Sequence, residues 1–115
     1  MKKDLGRILS AGVLALFAIV LAEAKMNAAS DSGKKLYEDK CALCHGRNGE
    51  GDGPAGAALD PRPADFASPG FWRKTSDRKI ADTIRNGHGV MPGFDLTADQ
   101  IQDVIGYLKQ AFEKK

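Results

Sequence analysis

Cys41-Ala42-Leu43-Cys44-His45 is the stretch on which the reading of this chain turns. Two cysteines three positions apart on a helical turn point their sulfurs the same way. In an exported protein such a pair ordinarily closes a disulfide, and the same Cys-x-x-Cys spacing also serves thioredoxin-like redox motifs. Against a zinc site stand the absence of a second cysteine pair and the presence of one other histidine, His88. The residue after the second cysteine separates these readings. His45 completes C-x-x-C-H, the motif of covalent c-type haem attachment. Cys41 and Cys44 then add to the two vinyl groups on one edge of a haem, and His45 lies beneath the iron.

A sixth iron ligand separates an electron carrier from an open-site enzyme or gas binder. Of the three methionines, Met1 and Met26 lie in or beside the N-terminal apolar region, leaving Met91 in the body of the chain. Met91 sits in Gly87-His88-Gly89-Val90-Met91-Pro92-Gly93-Phe94, too rich in glycine for a helix. A thioether packs anywhere as core filler, but a Gly-flanked Met-Pro loop downstream of C-x-x-C-H points to Met91 as distal ligand. His88 is expected to be an exposed loop imidazole.

The 115 residues allow one domain with a thin core, which a buried cofactor would supplement. Composition, 43% hydrophobic and 28% charged, is that of a folded protein. Residues 1–24 stand apart: Lys2, Lys3 and Arg7 precede an uncharged run from Ile8 to Ala22, and Ala22-Glu23-Ala24 has the small-x-small pattern of a signal-peptidase site. The run is shorter than the roughly 20 residues of a bilayer-spanning helix, so a cleaved secretory signal is expected rather than an uncleaved anchor. Its removal takes three of 17 basic and two of 15 acidic groups, leaving residues 25–115 with a net charge of +1. From that charge no polyanion or nucleic-acid partner is expected.

Three helices are expected in the remaining chain. The first starts near Ser30 or Asp31, either able to cap, and runs into the Cys motif. A second spans roughly Ser76 to Asn86, with Ile80 and Ile84 one turn apart and Gly87 as its stop. For the third, Thr97-Ala98-Asp99-Gln100 forms a capping box, Leu96 and Ile101 a hydrophobic staple, and Ile101, Val104, Ile105, Leu108 and Phe112 one apolar stripe. Between Gly46 and Pro69 the glycines and prolines forbid regular structure. That loop lacks the Gly-Lys-Ser/Thr ending of a phosphate loop. No alternating strand pattern is present.

These residues resemble the class I, mono-haem c-type cytochromes across essentially all of 25–115. Gly33, Tyr37 and Cys41 follow the family's Gly-x-x-x-aromatic-x-x-x-Cys first helix, and Val104-Ile105-Gly106-Tyr107-Leu108-Lys109 is similar to its last. The resemblance implies an all-α, small cytochrome c fold of three to four helices wrapped around one covalently bound haem c. Its first and last helices would cross closely at Gly33, with Tyr37 packed across the contact. It makes Cys41 and Cys44 the thioether sites, His45 the proximal and Met91 the distal iron ligand. A proline carbonyl, of Pro54 or Pro61, would accept the proximal imidazole's hydrogen bond. Trp72 would lie near a haem propionate or simply pack. The run Gly51-Asp52-Gly53-Pro54, then Leu59-x-Pro61-x-Pro63-x-Asp65-Phe66, is similar to a subgroup found in bacterial respiratory chains and as partners or domains of periplasmic oxidoreductases.

The resulting expectation is a periplasmic, non-enzymatic electron-transfer protein without a small-molecule substrate. Redox partners would dock transiently at the haem edge, and membrane contact would come through membrane-bound redox complexes. The alternative is a dedicated cytochrome subunit of a periplasmic dehydrogenase or terminal oxidase.

Overall fold

Helical periodicity in the sequence becomes five helices in the computed structural model, which describes residues 2–114, with side chains from Arg7 onward. Met1, where the expected signal starts, lies outside the described residues. In chain order the helices are α1 (Lys2–Lys40), α2 (Ala42–His45), α3 (Pro69–Lys74), α4 (Asp77–Asn86) and α5 (Ala98–Phe112). Among the described residues there is no strand, and an isolated bridge pairs His88 with Met91. The all-α expectation holds.

The two C-terminal helices begin and end where side-chain chemistry dictates. On α5 the Thr97 hydroxyl accepts from the Gln100 amide at 3.2 Å while the Gln100 side chain accepts from the Thr97 amide at 2.9 Å. Two of the N–H groups orphaned at a helix start are thereby satisfied. Ser76 caps α4 through Lys79, and Gly87, at φ 77°, ends it by donating to the Thr83 carbonyl. Ile80 and Ile84 bury the inner face of α4, and Lys109 of α5 bonds Asp77 at 3.0 Å on its outer side.

Two elements differ from expectation. Ser30 and Asp31 cap nothing, because α1 runs unbroken through them from Lys2. A capping residue starts a helix only where the preceding chain has left helical geometry, and Glu23 to Asp31 contain three alanines and no glycine or proline to force that exit. The Ser30 hydroxyl instead donates to Gln110 of α5 at 2.5 Å. The second departure is α3, which is not among the three expected helices: Ser68 accepts from the Gly70 amide and Pro69 occupies the first turn, a local start signal at the end of the segment expected to be irregular.

The core is a seam between α1 and α5, closed on one side by α4. Tyr37, Ile101, Val104, Ile105 and Leu108 are nearly inaccessible, and Phe66, Ile80, Ile84 and Phe112 complete the buried set. Gly33 sets the seam's depth: a Cβ there would lie 2.0 Å from the Asp103 carbonyl oxygen and 3.0 Å from the Tyr107 Cβ. The close crossing implied by the resemblance is present. The N-terminal part of α1 leaves this core, with Ile8, Leu14, Phe17 and Val20 all more than 60% exposed. It extends the molecule to 73 Å against 29 and 22 Å in the other directions.

Gly33→Ala should lower stability by about 1–3 kcal/mol, because its Cβ meets backbone that cannot rotate away. Gly106→Ala on the outer face of α5, where a Cβ meets nothing within 4 Å, should raise it by about 0.5–1 kcal/mol. Thermal melts followed by circular dichroism check both.

Candidate functional site

Helix α1 ends at Lys40, and the chain makes one further turn carrying Cys41, Cys44 and His45. Cys41 donates back to the Tyr37 carbonyl at 2.9 Å, and its own carbonyl accepts from Cys44 at 3.2 Å and His45 at 2.9 Å. The three residues named by the motif are therefore held on one tight turn. Gly46, at φ 81°, ends it.

Such a turn leaves carbonyls without intrahelical partners. The glycine-rich loop that follows supplies them: Ala55 donates to Leu43 O at 2.9 Å, Gly53 to Cys44 O at 3.1 Å and Gly51 to His45 O at 2.8 Å. This close approach explains the composition of the loop. A Cβ on Gly53 would sit 2.3 Å from the Leu43 oxygen, and one on Gly56 2.0 Å from the Cys44 oxygen. The sequence marks the loop as irregular, but its role as a cap on the motif turn is a tertiary fact.

Tyr37 joins the turn to the core. Its hydroxyl donates to the Gly46 carbonyl at 2.6 Å, and burial pushes the phenol well above its ordinary pKa, keeping it a donor. Its ring lies 5.4 Å from Tyr107, 5.5 Å from Phe112 and 6.4 Å from Phe66.

His45 is buried, and its Nδ1 lies 3.2 Å from the carbonyl oxygen of Ala64. Neither Pro54 nor Pro61 takes this bond: the acceptor is the residue after Pro63, whose own carbonyl faces Gly51. An acceptor that contributes backbone alone leaves no side-chain signature, so residue type could not reveal it. The imidazole stacks on Phe66 at 4.5 Å between centroids and 16° between planes. Burial pushes its pKa down, opposed by the bond to Ala64, which favours the neutral ring. With Nδ1–H committed to a carbonyl, the Nε2 lone pair is the one left for a metal.

Both thiols are free and half-buried. Burial pushes Cys41 up to about 11, against the lowering effect of Lys40, so at neutral pH it is a thiol. That is the reverse of the activated thiolate a dithiol oxidoreductase needs. Two thiols on one turn beside an oriented, neutral, buried imidazole fit the attachment chemistry of haem c.

Met91 lies apart, on the loop between α4 and α5. Its backbone and that of His88 exchange hydrogen bonds of 3.0 Å each, and Phe94 anchors the loop's far end to Ile84 O at 2.8 Å. Met91 is half-buried and is not among the residues packed on the core, and His88 is exposed. The Trp72 indole donates to Phe66 O at 2.8 Å, so its N–H is engaged within the protein rather than presented to a propionate.

Residues 28–108 match the model of the family described as cytochrome C oxidase, cbb3-type, subunit III. Over 74 residues, 63% of the chain, the sequence is 35% identical to the Cbb3-type cytochrome c oxidase subunit CcoP of Azospirillum brasilense. The match covers 24% of that relative, so the chain spans about a quarter of its length.

Tyr37→Phe keeps the ring and removes one of the two donors to the Gly46 carbonyl, leaving the Gly49 amide at 3.1 Å. Urea unfolding should show a loss of about 0.5–1.5 kcal/mol, the net worth of one hydrogen bond.

Proposed function

We propose that this chain, which belongs to the family of cbb3-type cytochrome c oxidase subunit III, is a membrane-anchored, one-haem module that passes single electrons toward a terminal oxidase. That it is a c-type cytochrome follows from the family and from the relative. Of the two functional expectations, freely diffusing shuttle and dedicated cytochrome subunit, these similarities support the second. The observation that carries the reading is the C-x-x-C-H turn within the matched span, with His45 Nδ1 bonded to Ala64.

Cys41 and Cys44 would hold the haem through thioether bonds, and His45 and Met91 would ligate its iron. When bound, the haem supplies an iron that takes up and returns one electron. The chain's residues do the rest. Ala64 orients the imidazole, and its hydrogen bond raises the basicity of Nε2. A thioether opposite the histidine favours a high reduction potential. Were His45 and Met91 both to hold the iron, no place would remain there for a small-molecule substrate, in keeping with a carrier rather than an enzyme. Membership of the Gly-Asp-Gly-Pro subgroup is supported by the loop's capping of the motif turn.

Anchoring is supported by α1, whose segment from Arg7 to Lys40 is long and apolar enough to cross a membrane and whose large apolar side chains from Ile8 to Leu21 are exposed. Lys2, Lys3 and Arg7 favour a cytoplasmic N-terminus, which puts residues 25–115 on the periplasmic side. The small-x-small site at Ala22-Glu23-Ala24 favours the second reading, a cleaved and diffusing carrier. Intact-mass analysis of protein from the native membrane separates the two: a haem-bearing chain retaining residues 1–24 is expected, whereas one starting at Lys25 restores the shuttle.

Met91→Ala should abolish the ferric thioether-to-iron charge-transfer band, lower the reduction potential and allow carbon monoxide to bind. His88→Ala should change none of these. Visible spectra of the two variants check the assignment, and the reverse pattern would make the site bis-histidine. Carbon monoxide binding by the unmutated ferrous protein would revive an open-site enzyme.

A further inference from the structure

Phe66 is held on every side. Its amide donates to Gly49 O at 2.7 Å and its carbonyl accepts from the Trp72 indole at 2.8 Å. Its ring stacks on His45, with Phe71 against it at 5.1 Å. Two residues earlier in the same segment, Ala64 accepts the His45 Nδ1 bond. The intervening chain is stiffened locally: Asp65 Oδ1 accepts from the Ala67 amide at 2.9 Å, and the Asp65 carbonyl from Ser68 at 3.3 Å. Both constraints on the imidazole, the stacked ring and the hydrogen-bond acceptor, therefore belong to residues 64–66. Trp72 is the side chain that fastens this segment from outside the loop.

Trp72 is itself fixed. Helix α3 is started by Ser68, whose hydroxyl accepts from Gly70 at 3.3 Å, and the Trp72 ring packs edge-on against Phe71 at 5.1 Å. A tryptophan removed from solvent ordinarily finds a partner for its N–H, and here that partner is the backbone of Phe66. This indole spans six residues of chain to reach the residue whose ring covers His45.

We propose that Trp72 is a positioning residue for His45: through its hydrogen bond to Phe66 it fixes the ring stacked on the imidazole and the Ala64 carbonyl that binds Nδ1–H, and so tunes the basicity of the nitrogen left for iron. The inference rests on the haem-binding reading above. A loosened segment 64–66 weakens the Nδ1 bond, the imidazole then donates less to the metal, and the ferric state loses stabilisation relative to the ferrous.

The test uses the haem-loaded full chain. Trp72→Phe keeps an aromatic ring and removes the N–H. Proton NMR of the reduced protein should show the His45 Nδ1 proton exchanging about tenfold faster, the equivalent of one ordinary hydrogen bond, and a redox titration should show a more positive potential. Ile80→Val, a core substitution in α4, should lower the melting temperature and leave both readouts as in the unmutated protein. Should Trp72→Phe not fold, the unmutated protein still decides: the Trp72 Nε1 and His45 Nδ1 protons should be released in one opening event and show equal protection. Unequal protection, or a Trp72→Phe protein with unchanged exchange and potential, overturns the role of Trp72 and leaves the haem reading standing. An unmutated protein that emerges from export without haem overturns both.

Discussion

The backbones of α1 and α5 touch at Gly33, and the rest of the domain is arranged around that approach. With a Cβ position only 2.0 Å from the Asp103 oxygen, any side chain there would wedge the helices apart. One turn further along α1, Tyr37 would lose its place against Tyr107 and Phe112. Tyr37 is also the residue whose hydroxyl holds Gly46, immediately after the motif histidine. A steric condition at the helix crossing is thus passed by one aromatic side chain to the turn that carries the chemistry.

That turn has its own constraint. A short helical turn cannot satisfy its last carbonyls, and an unpaired buried carbonyl costs about as much as several favourable contacts return. The solution is a loop of glycines close enough for its amides at 51, 53 and 55 to serve Leu43, Cys44 and His45. The price is a segment without regular structure, held by the turn it caps. From there the chain runs through Pro63 to Ala64 and Phe66, which meet the opposite edge and face of the imidazole. The motif residues are contiguous in sequence, but their support comes from residues up to about twenty positions later.

Helix α1 has two unlike parts. From Gly33 to Lys40 it is a core element, whereas from Ile8 to Leu21 its large apolar side chains face outward. A helix apolar all round has no stable place on a water-facing surface. Its continuity with the core section means that residues 8–22 are joined to the Cys-x-x-Cys-His turn by uninterrupted helix rather than by a flexible linker.

The local features were legible from residue order because each depends on near neighbours. The capping box at Thr97, the stop at Gly87, the stripe on α5 and the Cys-Cys-His turn all rest on interactions within one or two turns of helix. Gly33 and Tyr37 were legible by resemblance, since their partners lie on the other end of the chain. What the tertiary structure alone decided involves groups without side-chain identity or with distant partners. The Ala64 carbonyl, rather than Pro54 or Pro61, meets His45 because a backbone oxygen is common to every residue and only its position selects it. The start of α1 was misjudged for a related reason: Ser30 and Asp31 can cap, but whether they do depends on the geometry of the chain before them. Met91 was identifiable as the one methionine in the body of the chain. That it stays off the core is a property of the folded loop, which residue order alone does not contain.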